Sequence, residues 1–124
     1  MPYRLTWETY GVYRQYLGDV TIAERRASFE GICSDHRFDD LRYVITNYLE
    51  VGAYEITSEA TAEIAALHIG PLQTNPRIAI AAIATRSDIV AAIQDFIAHG
   101  FTTAPYRVFP TLVEAGCWTD GVCR

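Results

Sequence analysis

The run Ile78 to Ala84, IAIAAIA, is apolar at every position. A strand with only one buried face alternates apolar and polar residues. One with no polar position is covered on both faces, as the strands of parallel sheets are. The run therefore predicts an α/β fold with helices on both sides of a mainly parallel sheet. Four of its seven residues are alanine, so large side chains, aromatic ones above all, are expected to pack closely above them. Seven residues fall far short of the roughly 20 that span a bilayer.

The flanking sequence fits that frame. Tyr3 to Trp7 and Gly11 to Leu17 are rich in tyrosine, valine and threonine and read as an edge hairpin. Arg14 and Gln15 break the alternation of the second strand, which suggests a half-exposed face. Thr21 with Glu24 forms a T-x-x-E capping box and opens a helix. Ile22, Phe29, Ile32 and Cys33 lie on one side of it, and Arg25 and Arg26 mark it as amphipathic.

Leu41 to Leu72 is the central unit, with a strand (Leu41 to Leu49), an exit loop (Glu50 to Ile56) and a helix from about Ser58. Thr57 is the expected N-cap. Ala60, Ile64, Leu67 and Pro71 form the helical stripe, and Gly70-Pro71 is expected to end it. Ser87 caps a third helix that buries Ile89, Ile93, Phe96 and Ile97 and stops at Gly100. Tyr106 to Phe109 is a short strand. Thr111 with Glu114 starts a last helix to Trp118, and residues 119–124 are expected to fray. The predicted order is β-β-α-β-α-β-α-β-α in one domain over residues 1–124, with five strands, all parallel except the first.

Composition narrows the function. A net charge of −5 over 124 residues opposes nucleic-acid binding, which needs a basic face. All ten basic residues are arginine, so Schiff-base and P-loop chemistry, which need lysine, are excluded. The start, MPYRLTWETY, lacks the apolar core of a secretion signal. Cys33, Cys117 and Cys123 read as free thiols, so a cytoplasmic location without membrane insertion is expected.

The order of elements, the segment TIAERRASFE, the strand IAIAAIAT and the ending FPTLVEA resemble the SpoIIAA-like branch of the STAS superfamily (sulfate transporter and anti-sigma factor antagonist) over about Tyr3 to Trp118. The resemblance implies a βα superhelix of four turns, a fold also found in CRAL-TRIO lipid-binding domains. It implies a small regulator that binds a partner kinase through a phosphoacceptor serine. That serine opens the helix after the central strand and usually follows an aspartate. The matching position here falls at Thr57 and Ser58. Ile56 precedes them, so the Asp-Ser pair is absent.

Two function classes follow. The first is a non-enzymatic regulatory or protein-interaction module. The second is a carrier or sensor of a small apolar or amphipathic ligand. The candidate surface is Tyr48 on the strand, Val51, Tyr54 and Ile56 in the exit loop, and His68 on the helix, because strand exits commonly host ligands. The competing view is that Tyr54 fills a core gap. Thr57 and Ser58 are candidate phosphoacceptors, favoured by the helix N-terminus, against plain capping. Cys33 and His36 have C-x-x-H spacing, but His99, Cys117 and Cys123 form no matching pair, so no metal and no cofactor is expected. No G-x-S-x-G, G-x-G-x-x-G or H-E-x-x-H motif occurs, so no catalytic residue is assigned. The tyrosine-rich hairpin offers an unpaired edge, from which a homodimer is expected.

Overall fold

The computed structural model describes residues 3–54, 57–98 and 104–120. Its strands are β1 (Tyr3–Trp7), β2 (Gly11–Val20), β3 (Tyr43–Tyr54), β4 (Ala79–Ile83) and β5 (Tyr106–Phe109). Its helices are α1 (Ile22–Cys33), α2 (Ser58–Leu67), α3 (Ile69–Thr74), α4 (Ser87–Ala98) and α5 (Leu112–Thr119), with a short 3-10 turn at Phe38–Asp40. The sheet has the order β1-β2-β3-β4-β5. β1 runs antiparallel to β2 and every other neighbouring pair is parallel.

This sequential order determines the layers. Right-handed crossovers that always step in one direction carry their helices over the same face. α1, α2 and α4 accordingly share one face, with α1 touching α2 and α2 touching α4. α5 comes after the last strand and packs on β3, β4 and β5. On its side, Trp118 and Ala115 meet Ile45, Ala79, Ala81 and Ile83. On the helix-rich side, Tyr16 and Tyr48 pack with Ala82 and Ala84. The alanines of β4 thus lie under aromatic rings on both faces, and all five residues of the strand are buried.

Local chemistry explains the element ends. The Thr21 hydroxyl accepts from the Glu24 N–H (3.3 Å), and the Glu24 carboxylate accepts from the Thr21 N–H (3.0 Å). Two orphan donors of the first turn are satisfied at once. Thr21→Ala is expected to cost about 1 kcal/mol of stability, measured by urea unfolding with an unchanged slope. At Gly11 the ring of Tyr43, its partner on β3, occupies the space where a side chain would be. A methyl there would overlap the ring, whose hydroxyl donates to Glu8 Oε1 at 2.6 Å.

Several expectations are corrected. The expected exit loop is mostly strand, because β3 continues to Tyr54 against Leu17, Gly18 and Val20 of β2. Irregular register after Gln15 and again after Gly18 bends this extension. Gly70-Pro71 does not end the helical segment. The chain kinks at His68 and α3 begins, with Pro71 in its first turn, where a missing N–H costs no bond. Arg25 faces inward with Ser28 and Ile32, while Ile97 on α4 is exposed. The reading of three free thiols fails at Cys117, which is disulfide-bonded; Cys33 is free. Gly100, Cys123 and most of the expected frayed tail lie outside the described residues.

Candidate functional site

The helix-covered face of the sheet is built from alternate residues. β2 contributes Val12, Arg14 and Tyr16, and β3 contributes Val44, Thr46 and Tyr48, each opposite its partner or nearly so. A cavity of about 50 Å³ lies between this face and the helices. That is room for several water-sized groups in an interior that is normally close-packed. The sheet lines it with Arg14, Tyr16, Tyr48 and Tyr106. α1 adds Arg25 and Phe29, α2 adds Ile64 with the His68 that caps it, and α4 adds Ile93 and Phe96.

Four tyrosines form one connected group. Tyr48 lies 5.5 Å from Tyr16 and 5.6 Å from Tyr54 between ring centroids, and Tyr54 lies 6.1 Å from Tyr16. The two contacts of Tyr54 are edge-to-face, the arrangement that sets the positive rim of one ring on the negative face of another. Tyr106 packs against the same cluster and lines the same cavity. Burial first, and the neighbouring phenols next, push the hydroxyls of Tyr54 and Tyr106 well above the ordinary tyrosine range. They stay neutral.

Arg14 lies in this group with only 8% of its surface exposed. Its Nε and one terminal nitrogen donate to Thr46 Oγ1 at 3.1 and 3.0 Å, and the other terminal nitrogen donates to Ser28 Oγ at 3.1 Å. The Ser28 hydroxyl also meets the Tyr16 hydroxyl at 2.8 Å. The Arg14 guanidinium lies 5.1 Å from the Tyr16 ring centre, and that of Arg25 lies 4.7 Å from the Tyr54 ring centre. The hydrogen bonds of Arg14 thus go to neutral hydroxyls. Among the described residues, no carboxylate forms an ion pair with Arg14, and none lines the cavity.

His68 is clamped between rings. It stacks on Phe29 at 3.9 Å and meets Phe96 edge-on at 4.9 Å. Its Nδ1 lies 2.8 Å from the Ile64 carbonyl, which only accepts, so Nδ1 carries the proton. Burial lowers its pKa to about 4; the Ile64 bond opposes this in part, and Arg14 and Arg25 add smaller repulsions that lower it further. At neutral pH His68 is an uncharged ring in an aromatic sandwich.

Of the residues singled out from the sequence, Tyr48, Tyr54 and His68 line the cavity. Val51 packs beside it against the Tyr16, Tyr48 and Val20 cluster. Ile56 lies outside the described residues. The Thr57 hydroxyl accepts from the Ala60 N–H at 3.0 Å as an N-cap, and Ser58 begins α2. Arg14 and Arg25 escaped sequence reasoning. The available signal was spacing, since Arg14 sits two residues from both Val12 and Tyr16 and must share their face if that strand is internal. The strand-exit rule does not locate the cavity, because a sequential strand order has no switch point where a crevice opens. Among the described residues no group of three metal-ligating side chains occurs, and Cys33 and His36 stay apart in role. Burial raises the Cys33 thiol to about 11, and His36 is exposed beside Asp35.

Comparison with known proteins gives the fold. No protein-family model matches the chain, and no curated protein matches it. Among solved structures, the unphosphorylated form of the anti-sigma factor antagonist SpoIIAA is similar, with a TM-score of 0.67 at 12% identity over 96% of this chain and 98% of that one. An uncharacterised DUF3478-family protein from Shewanella loihica PV-4, itself of SpoIIAA-like fold, is also similar, with a TM-score of 0.56 at 15% identity over 94% of this chain and 91% of that one. The chain therefore has the SpoIIAA-like α/β fold that its sequence resembles, in a single layered domain with a mixed, mostly parallel sheet. No helix among the described residues is long and apolar enough to cross a membrane.

Proposed function

We propose that this protein is a non-enzymatic module of SpoIIAA-like fold that holds a small apolar or amphipathic ligand beneath α1, α2 and α4. The observation that carries this reading is the aromatic-lined cavity beneath the helices. Unfilled space costs stability in proportion to its volume, so a core that keeps it invites an occupant. The non-enzymatic part is supported by the titrating groups. His68 is lowered to about 4, and the hydroxyls of Tyr54 and Tyr106 are raised well above their ordinary range. Acid–base catalysis near neutral pH wants a group poised near 7, and these are displaced away from it.

The test is native mass spectrometry of gently purified protein. A co-purified small-molecule mass is expected on the wild type. Ala92→Leu, which extends a cavity-lining α4 side chain into that space, is expected to lose it while keeping the fold. A wild-type chain that carries no adduct and gains no thermal stability from any apolar probe would sink the reading.

A regulatory role through a protein partner is supported by the likeness to an anti-sigma factor antagonist. In that reading a partner docks on α2 and the segment before it, as Thr57 and Ser58 would require if either accepts phosphate. Phosphorylation of Thr57 would remove its cap on the Ala60 N–H. A homodimer through the outer edge of β1, which no described strand covers, and a cytoplasmic location belong to the same proposal. A pull-down with a stoichiometric protein supports the partner, and light scattering that returns only monomer rules out the dimer.

A further inference from the structure

The charge inside the cavity says more about its occupant than the volume does. Arg14 is a permanent cation in a nearly closed interior, and Arg25 brings a second guanidinium to the same lining. Removing a cation from water costs several kcal/mol unless an opposite charge or a full set of hydrogen bonds compensates. The bonds of Arg14 to Thr46 and Ser28 use three N–H donors, all on hydroxyls, and a guanidinium has five. Hydroxyls and ring faces satisfy donors without neutralising charge. The phenols of Tyr16, Tyr54 and Tyr106 do not serve as counter-ions, because burial keeps them protonated. Around this polar spot the lining is aromatic and aliphatic, with Phe29, Phe96 and Ile93 on the helix side. A cavity with one cationic end and apolar walls is complementary to a molecule with one anionic end and an apolar body.

We propose that the ligand is a small aromatic monocarboxylate whose carboxylate pairs with Arg14 and whose ring packs among the cavity phenyl and phenol rings. The proposal rests on the ligand-binding reading above and adds the ligand's class. A carboxylate matches the planar donors of arginine and can accept from the terminal N–H groups that Thr46 and Ser28 leave. A single charge suits the site, since a doubly charged phosphate would have to shed more hydration in an interior of this apolarity. A ring suits the walls, because aromatic pairs gain from edge-to-face contact beyond the area they bury.

The test compares benzoate with benzamide, which has the same shape and no charge, on the intact protein. Binding is read by thermal shift and by calorimetry at constant ionic strength. Benzoate is expected to bind at least about tenfold more tightly than benzamide, as charge-assisted bonds in a buried site allow. Arg14→Met is expected to abolish that preference while unfolding at the same temperature or higher without ligand, since an apolar chain of similar length replaces an uncompensated cation. Equal binding of benzoate and benzamide would overturn the anionic assignment while leaving the cavity a ligand site. Equal stabilisation by sodium sulfate would overturn the aromatic part, since it would mark a general anion site. No benzoate binding, beside a neutral adduct in native mass spectrometry, would refute this inference alone. The wild-type comparison decides even if the Arg14→Met substitution prevents folding.

Discussion

Asn75→Ala is expected to lower the unfolding free energy by about 3 kcal/mol, or roughly 10 °C in melting temperature for a chain of this size. Asn75 is 2% exposed. Its Nδ2 donates to the carbonyls of Phe38 and Leu41 at 2.8 and 3.0 Å, and its Oδ1 accepts from the Arg77 N–H at 3.2 Å. One side chain thereby ties the loop before β3 to the loop before β4. Phe38 O keeps a second donor, the Leu41 N–H, so the largest penalty falls on Leu41 O. Asn75→Asp sharpens the test. The carboxylate still accepts from Arg77 but would face two carbonyl oxygens, so this nearly isosteric change should cost more than alanine does. An aspartate variant as stable as the wild type would show that these bonds contribute little.

Acid should destabilise the protein through His68. Its folded pKa of about 4 lies below the ordinary unfolded value near 6.5. Above 6.5 the ring is neutral in both states and its contribution to stability is fully present. As pH falls from 6.5 to about 4 the unfolded chain takes up a proton that the folded chain refuses, and stability declines. The full decline is about 3 kcal/mol. Below about 4 both states are protonated and this group adds no further loss. Phe29 on α1 and Phe96 on α4 face the ring without charge, while Arg14 on β2 and Arg25 on α1 both oppose protonation. Denaturant midpoints measured from about pH 7.5 to about 4 should show the slope in the wild type and lose most of it in His68→Gln. A wild-type profile that is flat across this window would contradict the buried neutral histidine.

The candidate site was partly legible. Tyr48, Tyr54 and His68 were found from the apolar character of a strand exit and from one histidine off the stripe of its helix, and all three line the cavity. The route was imperfect, since Val51 and Tyr54 belong to β3 and not to a loop. A two-residue period cannot show where a long strand stops when its partner, β2, continues beside it. Arg14 was discounted because one arginine between apolar residues reads as solvent-facing on an edge strand. Asn75 before Pro76 reads as a turn. Both are buried, Arg14 because β2 is internal to the sheet and Asn75 because the loops before β3 and β4 meet around it.

Periodicity and caps, which are local, settled most elements and their order. IAIAAIA demanded cover on both faces, and the Thr21, Thr57 and Thr111 caps start their helices where the residues say they should. Interactions between distant positions settled the interior. Arg14 meets Thr46 across 32 residues and Ser28 across 14, and Asn75 reaches back 37 and 34 residues to Phe38 and Leu41. Each pairing exists only after distant segments of the chain have been brought together around the sheet. Whether a polar side chain is solvated or sealed in depends on what the fold lays over it, and burial turns an ordinary arginine into a cation that calls for an anion.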